Sequence, residues 1–516
     1  MLTAAARRRL AVALFIFVWF AYLATASGRI KTSDIQTEFR VATSLVLHGN
    51  LQADKTHDTR VGLDGHNYSD HGIGASLLLV PAVLVDGGVE TSRAVFVIAM
   101  VNPLLSAGTA VLLLLLLLDL GFSPRAGLVI TLLYAFATIA WPYAHDSFDV
   151  TAAAFLGLLA LWAARRRGEG GGWRWVLLSG VALAVGVLIR YSTGLAVLPI
   201  AAYLAWRRRR QGPGAILAEV ASWLGPIAGV TLLVAWLNWA RWGDPLQLGL
   251  PEAAQNYVQP LAEQAISLVG LLASPGKGLL LFSPLFILGA VGVRRLLHRD
   301  AAFTWVTVAV VAVTLLFYAR LTTWHGDYSW GPRMLVPLAP LLMLWCAPML
   351  ALWPSLGRAS RAAVAALVAA GVAVQSVDIL TGWERVMTVI LQRTHPPFET
   401  TSDPLYYFDL ANSQLLLQFR SVGTMLFGPN PFGQYAVSDG SQDLVYLYTP
   451  DFWWADPWTT PALRPFLVVV AVLLLLLVVL SGLRLLKAAR GLPKPAHAGT
   501  APAPPVIKSE QVSQIL

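Results

Sequence analysis

Residues 93–118 read RAVFVIAMVNPLLSAGTAVLLLLLLL, with one charge, at the first position. An apolar run of about 17–25 residues matches the hydrocarbon thickness of a bilayer when coiled as a helix. Similar runs recur along nearly the whole chain, the last including Phe466–Leu480. The 516 residues are 56% hydrophobic and 13% charged, with a mean hydropathy of +0.63. A soluble domain carries about 25% charged residues. The sequence therefore predicts an all-α polytopic membrane protein.

Working outward from 93–118, the pattern predicts about 12 spans, the first over 10–28, others over 124–143 and 278–296, and the last over 464–486. Arginine clusters stand at their ends: Arg7 to Arg9, Arg165 to Arg167, Arg207 to Arg210, Arg294 with Arg295, and Arg484 with Lys487 and Arg490. They fall on alternate loops, the pattern of cytoplasmic loops. The net charge of +9 thus reports topology and excludes a nucleic-acid partner. The expectation is a multi-pass protein of the inner (plasma) membrane with both termini cytoplasmic and an uncleaved first span. Residues 1–379 form the predicted transmembrane module, with an external loop over 29–92. Residues 380–463 form a second large external loop, 464–490 the last span, and the Pro- and Ala-rich 491–516 a disordered cytoplasmic tail. The run Gly74–Val85 is too short to cross and reads as re-entrant or interfacial. The single cysteine, Cys346, rules out a disulfide framework.

Chemistry concentrates on the predicted external side. In TSDIQTEFRVATSLVLHGNL, residues 32–51, Asp34 and Glu38 lie at i and i+4, on one side of a helix. Ile35, Phe39, Ala42, Leu45 and Val46 make an apolar stripe suited to the interface plane. A carboxylate at a low-dielectric edge has a raised proton affinity, which suits a general base; the plain alternative is a solvated acidic face. Tyr68, Asp70 and His71 precede the short helix, and His66, Asp70 and His71 match no strong metal-ligand spacing. The turn WPYAHDSFDV, residues 141–150, groups His145, Asp146 and Asp149. Asp146 or Ser147 could serve there only as a helix cap.

Four cations run against the charge pattern: Arg190, Lys277, Arg320 and Arg333. Snorkelling anchors are one explanation; an anionic phosphate held at the outer interface is the other. His325 and Asp327 lie beside Arg333 in TWHGDYSWGPRML.

In order and placement, the stretches SDIQTEFRVATSLVLHGNL, YSDHGIGASLLLVP, IAWPYAHDSFDV, LNWARWGDPLQLG, SPGKGLLLFSPL and YSWGPRMLVPLAPLL resemble the GT-C class of polyprenyl-phosphate-dependent glycosyltransferases. The likeness is to its family 39-like members, relatives of protein O-mannosyltransferases and of aminoarabinose and arabinofuranosyl transferases. The resemblance implies a GT-C type bundle with interfacial helices in the first external loop. It implies inverting transfer of a pentose or hexose from a polyprenyl-phosphate donor to an acceptor hydroxyl on the extracytoplasmic face, the acceptor being a glycan, lipid or protein. Asp34 then matches the general base, with Glu38 and Asp149 as further catalytic acids. Lys277, Arg333 and Arg190 match donor-phosphate positions, and Tyr68, His71, His145, Asp146, His325 and Asp327 are candidate substrate contacts. Many members carry two adjacent acids in the first loop, whereas here the second stands four residues on. No cofactor is required beyond the lipid-linked sugar phosphate as donor substrate; a divalent cation is compatible with the chemistry. The rival readings are a lipid-linked polysaccharide polymerase or ligase, and a transporter or flippase. The absence of an internal repeat and the rim placement of ionisable groups weigh against the transporter.

Overall fold

The computed structural model describes residues 2–56, 58–88, 92–247, 258–326, 328–384, 386–387, 406–427, 451–454 and 464–492. Asp327, most of the loop 380–463 and the tail from 493 lie outside the described residues. Helix α1 (Ala4–Ala24) opens with Thr3, whose hydroxyl accepts from the Ala6 amide at 3.2 Å. It is followed by α2 (Ser33–His48), a hairpin of β1 (Thr59–Val61) and β2 (Asn67–Ser69), α3 (Ile73–Asp86) and α4 (Ser92–Asp119). Then come α5 (Pro124–Ala137), α6 (Ala140–His145), α7 (Asp149–Gly168), α8 (Trp173–Ile189), α9 (Val197–Arg208) and α10 (Pro213–Trp242). The chain continues through α11 (Leu261–Ala273), α12 (Leu279–Phe282), α13 (Gly289–Leu297), α14 (Ala301–Ala319), α15 (Ala339–Ala351) and α16 (Arg358–Thr381). Among the described residues it closes with α17 (Gln414–Phe427) and α18 (Arg464–Arg490).

Among the described residues, six helices are long and apolar enough to cross a membrane: Arg93–Asp119, Pro213–Trp242, Ala301–Ala319, Arg333–Ser355, Arg358–Thr381 and Pro465–Arg490. Several other expected spans are broken. The stretch predicted as a span over 278–296 is α12, a 3-10 turn over Pro284–Leu288 and α13. The break falls at Ser283, whose backbone leaves the helical region, the conformation that the following Pro284 favours. The stretch 124–143 likewise breaks at Thr138, whose backbone is extended.

The hairpin departs from the all-α expectation. It pairs Thr59 with Ser69 and Val61 with Asn67, and Leu63 in its turn donates its amide to the Arg241 carbonyl at 2.8 Å. The first loop is thereby tied to the end of α10. Part of the apolar stripe of α2 packs on protein. Ile35, Phe39 and Ala42 are buried against Leu79, Ala82 and Val83 of α3 and Ala94 and Ile98 of α4. Burial against protein removes that stripe from water as completely as lipid would. Helix α2 ends at Gly49, whose φ of +67° is the left-handed conformation that a C-terminal glycine supplies without a Cβ clash.

Charges at the opposite end of the bundle pair among themselves. Asp119 takes Arg7 at 2.6 Å and Arg166 at 2.9 Å. Glu219 takes Arg167 at 2.6 Å and Arg208 at 3.1 Å. Arg165 reaches Asp300 at 3.1 Å.

Candidate active site

Thr32 caps α2, its hydroxyl accepting from the Ile35 amide at 3.4 Å. This fixes the first turn, which presents Asp34 toward the 3-10 turn Arg333–Leu338. Arg333 donates from Nη1 to Asp34 Oδ2 at 2.7 Å, and its guanidinium lies 5.2 Å from the centre of the Phe148 ring. One turn further along α2, Glu38 is only 3% exposed. It lines a small cavity with Asp149, Asn102, Ile35 and Phe148. Asp149 is held in turn by Arg190, which donates from Nη1 to both carboxylate oxygens, at 2.9 and 2.8 Å. Arg190 Nη2 stands 3.4 Å from the Tyr318 hydroxyl. Two acid–arginine pairs thus flank a third, buried acid.

The two acids of α2 are driven in opposite directions. Burial would raise the Asp34 carboxyl, but the adjacent Arg333, with His71 and Arg190 behind it, holds it at about 2. Glu38 is pushed up, first by burial and then by the charges of Asp149 and Asp34. The Arg333 pair thus favours the anion at Asp34, whereas the surroundings of Glu38 favour its protonated form. Glu38 also does not meet Arg40, which instead lies 3.6 Å from Asp54.

The turn that delivers Asp149 hangs from Asn102 on α4. Its buried Nδ2 is 3.1 Å from the Tyr143 carbonyl, 2.5 Å from that of Asp146 and 3.0 Å from that of Phe148. One amide group so gathers three carbonyls of the turn, and Thr151 adds its hydroxyl to that of Tyr143 at 2.9 Å and its amide to that of Phe148 at 3.4 Å.

His145 and Asp146 are not free substrate contacts. They are 1% and 3% exposed and belong to a network centred on Lys31. Lys31 Nζ lies 2.6 Å from Asp146 Oδ1, 2.6 Å from Asp451 Oδ2 and 3.4 Å from Glu384 Oε2. His145 Nε2 is 2.9 Å from Asp451 Oδ2, its Nδ1 meets the Thr25 carbonyl, and Trp383 donates to Asp146 at 2.5 Å. Arg29 pairs with Glu384 at 2.9 Å and also with Asp451. Burial would lower the ammonium of Lys31, yet Asp146 and Asp451 outweigh it and raise it; Lys31 and Arg29 together hold Asp451 well below the usual carboxylate range. Sequence reasoning missed Lys31, Arg29, Glu384 and Asp451. The available signal was that Arg29 and Lys31 also stand on a predicted external loop against the charge pattern.

The remaining candidates are dispersed. Lys277 is 1% exposed and donates to the Ser329 carbonyl at 2.7 Å, on the loop that leads to Arg333. His325 is buried and stacked on Tyr407 with ring centres 4.4 Å apart, its Nδ1 2.9 Å from the tyrosine hydroxyl. Arg320 meets the Gln259 carbonyl. Tyr68 sits on the hairpin, its hydroxyl donating to Asp64 at 2.7 Å. His71 stays near the acids: atoms of Asp34, Asp58 and His71 lie within 4.8 Å of one another. That set of two carboxylates and an imidazole suits a divalent cation. His145, Asp146 and Asp451 are equally close, but the Lys31 ammonium already stands where a cation would.

Residues 87–239 match the family model described as dolichyl-phosphate-mannose-protein mannosyltransferase. The resemblance expected from the sequence is borne out by this match, which includes Asn102, Asp149 and Arg190 but not Asp34, Lys277 or Arg333. Among solved structures, the chain is similar to ArnT from Cupriavidus metallidurans bound to undecaprenyl phosphate, at 15% identity and a TM-score of 0.49, over 82% of this chain and 79% of that one. It is also similar to the archaeal oligosaccharyltransferase AglB from Archaeoglobus fulgidus, in complex with an inhibitory peptide and a dolichol-phosphate. There the identity is 14% and the TM-score 0.45, over 79% of this chain and 60% of that one. No curated protein matches the chain.

Proposed function

We propose that this protein is an integral membrane glycosyltransferase that moves a sugar from a polyprenyl-phosphate donor to an acceptor hydroxyl, with inversion and with Asp34 as general base. The observation that carries the reading is the Asp34–Arg333 pair beside Asp149–Arg190, with Glu38 buried between. A base and the cation that restrains it meet there at the end of α1 that the charge pattern assigns to the outer face. The family match over 87–239 supports the sugar-transfer chemistry.

In the reaction, the acceptor oxygen attacks the sugar's C1 from the face opposite the phosphate. The O–C1 bond forms as the C1–O(phosphate) bond breaks, the acceptor proton passes to Asp34, and the electron pair leaves with the polyprenyl phosphate. Arg333 is 11% exposed on its side chain and is the cation best placed to receive that phosphate, with Arg190 as second and Lys277 behind the same loop. A guanidinium aimed at developing charge in a dry site stabilises the leaving group. Phosphate binding to Arg333 also loosens its hold on Asp34. The carboxylate's proton affinity then rises as the donor arrives, so the base is strengthened only when there is a sugar to transfer. Glu38, whose surroundings favour the protonated form, can in that form donate a hydrogen bond to a substrate oxygen or to the Asp149 carboxylate.

The exchange has a direct test. Arg333→Ala should weaken donor binding at least about tenfold, the scale of a lost charge-assisted hydrogen bond, measured by titration with a polyprenyl-phosphate sugar. Unchanged donor affinity removes the phosphate role.

A further inference from the structure

Helix α1 has two differently used faces. Leu10, Leu14, Val18 and Tyr22 recur every four residues and are buried in the core. Ala5, Arg8, Arg9, Val12, Ala13 and Ile16 follow the three- and four-residue spacing of a second face, and they line an open groove of about 790 Å³. Its other wall is α18, through Ser481 and Arg484 one turn apart. The three arginines gather at one end, and the wall below them, from Val12 to Ile16, is apolar. Eight residues separate Arg8 from Ile16, about 12 Å along a helix.

The charge in this groove is unmatched. The neighbouring Arg7, Arg165, Arg166, Arg167 and Arg208 all pair with acids. Among the described residues Arg8, Arg9 and Arg484 have no such partner, and no acid lines the groove. The surface of α18 is apolar and open: 17% of its most apolar window is buried, and Leu480 and Leu483, which neighbour Ser481 and Arg484 in the chain, are 53% and 57% exposed. The chain's own tail does not complement the site, because beyond residue 492 it carries Lys494 and Lys508 against a single acid, Glu510. A free phosphate would satisfy the arginines and leave the apolar wall bare.

We propose that this groove binds an anionic membrane phospholipid, its phosphate on Arg8, Arg9 and Arg484 and an acyl chain lying between α1 and α18. Basic pockets between helix ends at the membrane surface are suited to such headgroups. The acyl chain fills the wedge and fastens the last helix to the bundle. The site lies at the far end of α1 from Asp34, a helix of 21 residues, or about 30 Å away, so it does not depend on the catalytic reading.

Native mass spectrometry of the full-length detergent-solubilised protein tests this, with phosphatidylglycerol and phosphatidylcholine as probes. The expected result is a preference of about tenfold for phosphatidylglycerol. That preference should be lost in the triple variant Arg8→Gln, Arg9→Gln, Arg484→Gln, which keeps Arg7 and the other basic clusters. Ala13→Trp, which fills the groove and leaves the arginines in place, should lose the adduct as well. Equal adducts of both lipids on the unmodified protein overturn the proposal, as does an unchanged preference in both variants.

Discussion

Asp34 and Glu38 sit one turn apart on the same helix, yet their proton affinities are driven in opposite directions. The difference lies in what faces them. Arg333 reaches Asp34 at 2.7 Å, whereas Glu38 points into a cavity shared with a second acid. The i, i+4 spacing was legible in the sequence and so was Arg333 as a misplaced cation. Their contact was not, because 299 residues separate them and no local pattern reports such a pairing. Asp70 offers a test of the same electrostatics. Burial, with Asp58 and Asp34 nearby, raises its carboxyl to about 6, against an ordinary 3.8. A folded state that binds a proton more tightly than the unfolded chain is stabilised by low pH. Stability from Asp70 is therefore present below about pH 4 and is lost as pH rises through 6. Thermal unfolding in detergent should show Tm falling over that window, and Asp70→Asn should flatten the change. An identical slope in the variant contradicts the assignment.

The elements around the site are held by polar clamps that hydropathy does not reveal. Helix α2 packs on α3 and α4 because its stripe of Ile35, Phe39 and Ala42 finds apolar partners there. The turn before α7 was legible as acidic, but two of its three ionisable groups, His145 and Asp146, serve a network that joins the start of the first loop to Glu384 and Asp451. The segment after Asp451 is fastened as well. Trp453 donates its amide to the Ala26 carbonyl at 3.0 Å and its ring nitrogen to that of Leu23 at 2.8 Å. Lys31 faces two buried acids at once, so Lys31→Met should leave Asp146 without its lysine and Asp451 with Arg29 alone, and cost about 3–5 kcal/mol. The loss is read as a lowered Tm. A variant as stable as the parent shows the network to be dispensable.

Across the molecule, polar chemistry divides between two ends. At one end Arg7, Arg165, Arg166, Arg167 and Arg208 are matched by Asp119, Glu219 and Asp300, while Arg8, Arg9 and Arg484 line a groove that no acid lines. At the other end, acids and cations from distant parts of the chain converge on Asp34, Glu38 and Asp149. The membrane class was plain from the apolar runs, since length and composition alone decide it. The broken helices at Thr138 and Pro284 were less so, because an apolar stretch with an internal break has the same hydropathy as a continuous span. The account turns on one residue. Asp34→Asn keeps the side chain's size and its contact with Arg333 but removes the proton acceptor. In a lipid-linked sugar transfer assay, at matched expression and Tm, the account predicts that this variant binds donor and makes no product above background. Near-normal turnover by Asp34→Asn contradicts it.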